Sequence, residues 1–214
     1  MIKIYGTAIS NYHNTAKLAL IEKGVEFDEI DQFPGQDEKI LAASPMGKVP
    51  WIEVDGKPLS EVNVIFDYLE DTCPNPPMYP QVPWERAKAK EIIRVVELYC
   101  DAAARRHIST VYFGADVDQT AFDEVRPALE NGLRAFKQLA RFSPYVAGSD
   151  FGFADIATFF QLQFTNLHTR KIYDWDFIAE DSALSDYFAM LSERPSLREV
   201  NGVMQAAMTK VLPQ

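Results

Sequence analysis

Apolar residues in the first third of the chain change period repeatedly, which is the signature of strands alternating with helices. Ile2 to Tyr5 reads as a strand, Thr15 to Lys23 as a helix with Ala16, Ala19 and Leu20 facing inward, and Gly24 as its stop. Val25 to Ile30 alternates as a second strand, completing a βαβ unit. A short helix around Asp37 to Ala43 follows. Pro50 to Val54 then reads as a strand, Asp55-Gly56 as a hairpin turn, and Pro58-Leu59 as an edge strand. Ser60-Glu61 opens a helix that ends near Cys73. The predicted order is β-α-β-α-β-β-α, an α/β domain.

Between Pro74 and Pro83 five of ten residues are proline, which excludes regular helix and central strand. This stretch is the predicted domain boundary: residues 1–75 form the α/β domain, 76–84 the linker, and 85–214 a second domain. Beyond it only helical spacing survives. Ile92, Ile93, Val96 and Tyr99 fit one helix, Val125, Leu129, Leu133, Phe136 and Leu139 a second, and Ile156, Phe160, Phe164 and Leu167 a third. Leu184, Phe188 and Leu191 fit a fourth, and Leu197, Val200, Met204 and Ala207 a fifth. The second domain is predicted to be an all-α bundle.

Two positions in the first domain suit a small peptide-like ligand. Pro50 has no N–H and cannot serve a central ladder, so it favours a tight Val49-Pro50 turn, open to a cis peptide, that leaves the Val49 N–H and C=O to a ligand. Glu61 falls in the first turn of its helix, where free N–H groups attract an anion and the carboxylate attracts a cation. A zwitterionic amino-acid end fits both demands.

The run MGKVPWIEVDGKPLSEVNVIFDYLED, from Met46 to Asp71, resembles the thioredoxin-like N-terminal domain of cytosolic glutathione S-transferases. Gly148 to Asp155, GSDFGFAD, looks like the segment that caps the buried central helix of that family's C-terminal domain, with Gly152 where Ser or Thr is usual and Asp155 able to reach back to the cap N–H. The second motif concerns folding rather than chemistry. Together the two extend the resemblance over nearly the whole chain.

The resemblance implies a cytoplasmic, homodimeric detoxification enzyme that conjugates the thiolate of glutathione, its co-substrate, to a hydrophobic electrophile. It implies that Val49, before Pro50, pairs its backbone with the cysteinyl part of glutathione, and that Glu61 and Val62 hold the γ-glutamyl end. Val62 departs from the pattern, because the family usually carries a serine there. Lys48, with nearby Gln36 or Lys39, would meet the glycyl carboxylate. Asp67 resembles an acid that in some members reaches across the dimer, and is otherwise a solvated helix position.

The thiolate needs a hydrogen-bond donor between the first strand and first helix, in the loop Gly6 to Asn14. Counting back from Leu20 places Ser10 on the family's catalytic serine or cysteine. A serine there is equally a helix cap. Tyr5, at the strand end, and Tyr12 are the alternatives, and Asn11 is also within the loop. His13 could meet glutathione but reads otherwise as solvated. No cysteine occurs in the loop, which weakens chemistry that needs a protein thiol. In the second domain Tyr99, Arg106, Tyr112 and Phe113, with His107 nearby, are the candidates for the electrophile pocket.

Composition narrows the alternatives. A formal charge of −10 argues against binding nucleic acid or anionic membranes through a general field. Residues 1–80 hold 6 Lys, no Arg and 13 acids, a charge of −7, whereas residues 81–214 hold 15 bases and 18 acids, a charge of −3. This asymmetry supports two domains of different character. Hydrophobic residues make up 47%, ample for sizeable cores, and no apolar run approaches a membrane span. Met1 to Tyr5 reads as a strand rather than a signal peptide. Cys73 and Cys100 lack the spacing of a disulfide framework or a metal site, so no metal is expected. Two rival readings stand beside the transferase: a non-catalytic binding module of the same fold, taking an apolar ligand or a protein partner, and a glutathione-dependent isomerase, peroxidase or dehalogenase.

Overall fold

A computed structural model describes residues 1–211. Its contacts divide the chain into two compact units. The first takes Met1–Met78 and Pro195–Met208, and the second takes Tyr79–Arg194 with residues 209–211. The division falls inside the proline-rich stretch. It differs from a contiguous split in one respect: most of the last helix, placed with the helical domain by sequence position, belongs to the first unit. Ser196 Oγ donates there to Glu22. Residues 212–214, counted in the predicted second domain, lie outside the described residues.

The first unit is built on a four-stranded mixed sheet of order β2-β1-β3-β4, from β1 (Ile2–Gly6), β2 (Phe27–Asp31), β3 (Trp51–Val54) and β4 (Lys57–Ser60). β1 runs parallel to β2 and antiparallel to β3, and β3 and β4 form the hairpin at Asp55-Gly56. Both turn residues have positive φ, 50° and 78°, as a tight hairpin requires. Helices α1 (Asn11–Glu22), α2 (Glu38–Ala43) and α3 (Val62–Thr72) complete the predicted β-α-β-α-β-β-α order. Ile4, Ile52, Leu18, Leu20, Ile65, Phe66 and Leu69 are fully buried and form the core.

α1 begins four residues before the predicted start. Its first turn, Asn11 to Asn14, is polar and offers no apolar stripe, but the His13 and Asn14 side chains are themselves buried and hydrogen-bonded. Its end is fixed by an ion pair that is buried at both members. Lys23 Nζ lies 2.5 Å from Glu70 on α3 and also donates to Pro76 O at 2.8 Å, while Met78 N donates to the same Glu70 carboxylate at 3.1 Å. Two charges removed from water are tolerable only when every remaining polar valence is filled, and here the chain after α3 fills them.

The second unit is helical: α4 (Pro83–Val95), π-helical turns over Val96–Asp101, α5 (Ala102–Ala104), a 3₁₀ turn at Arg105–His107, α6 (Ile108–Phe113), α7 (Gln119–Leu139), α8 (Phe153–Tyr173), α9 (Phe177–Glu180) and α10 (Ser182–Ser192). α11 (Pro195–Val211) closes the described chain. The π-helical turns bulge toward α7 at Gly132, where a Cβ would lie 2.5 Å from Tyr99 O, so only glycine admits the approach. α8 is buried on nearly all sides, with Phe153, Ile156, Phe159, Phe160 and Leu162 in the core. As the capping motif predicts, Asp155 accepts from Gly152 N at 2.9 Å. It also accepts from Val146 N at 2.9 Å and Tyr187 Oη at 2.7 Å. No described helix is long and apolar enough to cross a membrane.

Two predictions follow from the buried charges. Replacing Glu70→Gln leaves the Lys23 ammonium buried without its counter-charge and should cost about 3 kcal/mol in urea unfolding; a loss within error of zero would mean that the pair contributes nothing. Burial pushes the Asp155 carboxyl up to about 6, against the pull of its hydrogen bonds. Because this lies above its ordinary value of 3.8, the folded protein binds the extra proton between the two values, and this group's stabilisation falls as pH rises through that window. An Asp155→Asn variant should therefore melt lower than the native chain, with a deficit that narrows as pH rises to about 6. A deficit independent of pH would contradict the raised carboxyl.

Candidate active site

The strand register brings the predicted site residues to one end of the sheet. Tyr5 pairs with Trp51, and Trp51 pairs with Ser60. The residues just past these pairs are Gly6 and its loop to Ser10, Val49-Pro50, and Glu61. All three segments therefore leave the sheet at the same edge. α1 and α3 both start there, so two helix N-termini meet at this end and make it favourable to negative charge.

Ser10 is the N-cap of α1. Its Oγ accepts from His13 N at 3.2 Å, and its backbone N–H bonds Thr7 O at 2.9 Å. The capping role and a catalytic role are compatible, because a hydroxyl that accepts one bond still has its proton to donate. Tyr12 and Asn11, read as loop residues, lie in the first turn of α1. The Tyr5 hydroxyl donates to Glu53 at 3.3 Å and its ring stacks on Trp51 at 4.8 Å. Glu53 pairs with Lys3, farther from the loop than Tyr5 itself, so the hydroxyl points away from the Ser10 end.

His13 is a correction to the solvated reading, since the side chain is fully buried. Its Nε2 bonds Glu29 on β2 at 2.8 Å, with Lys17 on the same carboxylate at 2.6 Å. The His13 bond, with help from Lys17, holds the Glu29 carboxyl down to about 2 despite partial burial. The imidazole packs so tightly on Gly6 that a Cβ there would lie 2.2 Å from Nδ1. This dyad ties α1 to β2, with the ring packed on Gly6 of β1.

The Val49-Pro50 peptide is cis, as the sequence allowed. Among the described residues the Val49 main chain has no hydrogen-bond partner, while Pro50 is buried. Lys48 is exposed, and its N–H reaches Ser44 Oγ at 3.3 Å. Gln36 and Lys39 are also exposed. Asp67 is exposed on α3.

Glu61 caps α3 with φ 71° and ψ 113°, a conformation rare for any residue but glycine, and its side chain makes no cap bond. Strain of about 1–3 kcal/mol is held there, at the mouth of the helix. Val62 is 7% exposed, so its side chain belongs to the core and only its first-turn N–H is directed to the helix N-terminus.

In the second unit the four electrophile-pocket candidates separate. Tyr112 stacks on Phe164 and lies 5.5 Å from the His168 ring; burial pushes its hydroxyl up to about 12. Arg106 pairs with Glu124 at the surface, and Tyr99 and Phe113 are 57% and 78% exposed. His107 is buried and shares a hydrogen bond of 2.8 Å with Tyr173 Oη. Two residues not among those four candidates stand beside Tyr112. Arg105 lies over Phe164 at 4.5 Å and is held at 2.5 Å by the fully buried Asp101. His168 is buried, its Nδ1 bonded to Phe164 O, with burial lowering its imidazole to about 4. The four-residue spacing of Asp101 with Arg105 and of Phe164 with His168 was the available signal.

A family model described as "Glutathione S-transferase, N-terminal domain" matches residues 4–77. A protein named glutathione S-transferase from Pseudomonas putida is 35% identical over 208 residues, covering 97% of this chain and 94% of that one. A probable glutathione S-transferase from Nicotiana tabacum is 29% identical over 163 residues, covering 73% and 67%. In fold, a crystal structure of glutathione transferase F2 from Populus trichocarpa superposes with a TM-score of 0.80 at 19% identity, covering 96% of this chain and all of that one. The chain belongs to the glutathione S-transferase family, with its thioredoxin-like first domain and helical remainder.

Glu61→Gly should release the strained backbone and raise stability by about 1 kcal/mol in urea unfolding, although it deletes an exposed charge. A lower or unchanged midpoint would show that position 61 stores no strain.

Proposed function

We propose that this chain is a glutathione transferase that attacks a hydrophobic electrophile with the glutathione thiolate. The observation that carries the reading is the convergence of Ser10, Val49 and Glu61 on one sheet end with two helix N-termini. The cysteinyl part pairs with the Val49 main chain beside Pro50. The γ-glutamyl ammonium meets the Glu61 carboxylate, its carboxylate meets the Val62 N–H, and Lys48 faces the glycyl carboxylate. The Ser10 hydroxyl donates a hydrogen bond to the sulfur, which favours thiolate over thiol. The thiol proton passes to solvent, a C–S bond forms, and the leaving group departs with its electron pair. Of the helical-unit candidates for the electrophile, Tyr112 has the best support, its ring being held against Phe164 and His168. The homodimer and the cytoplasmic location follow the family pattern.

One observation favours a second reading. Val62 is buried and has no hydroxyl, so one contact to the γ-glutamyl carboxylate is replaced by core packing. A chain that had lost glutathione in this way would be a binding module of the same fold.

Calorimetric titration with glutathione separates the two. Native protein should bind in the micromolar to low-millimolar range, and Ser10→Ala should lower turnover of a generic aryl halide about 100-fold while binding persists. Binding that appears only after Val62→Ser would reject the transferase reading in favour of the module. Native turnover by Ser10→Ala would remove Ser10 from the mechanism.

A further inference from the structure

The loop that delivers Ser10 is held by a side chain that neither caps the helix nor meets the core. Asn14 is almost fully buried in the first turn of α1, and its amide nitrogen donates two bonds of 2.8 Å, to Ala8 O and to Ser10 O. Those carbonyls flank the turn whose N–H closes from Ser10 onto Thr7 O. Ser10 O also receives the helical bond from Asn14 N at 3.0 Å. One residue thus fixes Ser10 from its main chain while joining the loop to the helix, and an amide group can supply both donors at once.

We infer that Asn14 is the positioning residue for Ser10: its paired amide bonds to Ala8 O and Ser10 O set the serine hydroxyl at the sheet end where the thiolate forms. This rests on the reading of Ser10 as thiolate donor. The geometry explains why a buried polar side chain occupies the first turn, where an apolar residue would pack as well. Without the amide, Ala8 O loses its donor and Ser10 O keeps only the helical N–H of Asn14, and the loop is free to move by the fraction of an ångström that a hydroxyl-to-sulfur bond does not tolerate.

Asn14→Asp is the sharpest test, because the carboxylate keeps the shape of the amide and removes both donors. Asn14→Ser is the gentler companion. Its hydroxyl can bond back to Ser10 O as Thr15 Oγ1 bonds Asn11 O at 2.8 Å, so the helix is retained while the Ala8 bond is lost. The readout is the ultraviolet absorbance of bound glutathione thiolate against pH, with kcat, KM for glutathione and the melting midpoint measured beside it. In Asn14→Asp the thiolate fraction at neutral pH and kcat should both fall about 10-fold with KM nearly unchanged. Asn14→Ser should lie between that variant and native.

Ser10→Ala run in parallel keeps the two ideas apart. If Ser10→Ala moves the thiol titration and both Asn14 variants titrate like native, the positioning role is overturned and the serine reading survives. If Ser10→Ala leaves the titration unmoved, both are overturned. Loss of activity in the Asn14 variants that tracks the melting midpoint with an unmoved titration assigns Asn14 to folding alone and overturns the inference.

Discussion

The register of β1 against β3 and of β3 against β4 is the constraint on which the rest of the first unit depends. A shift by one residue in either ladder would turn every side chain to the opposite face and pull Glu61 or Pro50 away from the Ser10 loop. Three sequence devices pin it. Asp55-Gly56 sets the hairpin with two positive φ values, Pro50 ends the β3 ladder because it has no donor, and the stacked rings of Tyr5 and Trp51 fill one pair position. The site is thus a by-product of edges and turns.

Much of this was legible because the devices are local. Turn chemistry at Asp55-Gly56, the donorless Pro50 and the cap at Asp155 depend on residue type and spacing, and each appears where the sequence placed it. What was illegible depends on partners far along the chain. His13 reads as solvated because its partner Glu29 lies on a different element, strand β2, and α1 reads as starting at Thr15 because the polar first turn is bound by buried contacts rather than by an apolar face. The π-helical bulge is another such case, for it exists against Gly132, thirty-odd residues away in sequence. The last helix carries a helical pattern whichever unit it joins, and pattern alone cannot report that Ser196 meets Glu22.

Three sets of buried polar groups in this chain share one feature: each has a partner set that the backbone itself helps to complete. Lys23 and Glu70 take in the Pro76 carbonyl and Met78 N–H, Asp155 takes in two N–H groups, and Asn14 gives to two carbonyls. In each case the polar side chain fixes a stretch with no regular ladder: the exit from α3, the entry to α8, and the loop before α1. Apolar packing would fill the same volume, but it does not distinguish one loop path from a neighbouring one, whereas a hydrogen-bonded group left unpaired carries the cost of its desolvation. Polar burial here specifies paths rather than adding cohesion.

The charge of the first unit gives the proposed ligand its hardest condition. Residues 1–80 carry −7 with no arginine, yet glutathione has two carboxylates and one ammonium and so approaches as an anion. A general field would repel it. Attraction must come from groups whose influence is short-ranged and directional, and the sheet end has that kind: the N-termini of α1 and α3, the Val49 N–H and the Val62 N–H. Glu61, which would be costly against an anion, becomes useful only against the one cationic group of the ligand, and this is why the strained backbone at φ 71° matters. On the proposed reading, strain that turns one carboxylate toward the ligand's ammonium, with N–H groups beside it for a carboxylate, would let an acidic domain discriminate a zwitterionic end from a simple anion. On that reading the buried Val62, which has no hydroxyl, would leave the carboxylate contact to backbone alone.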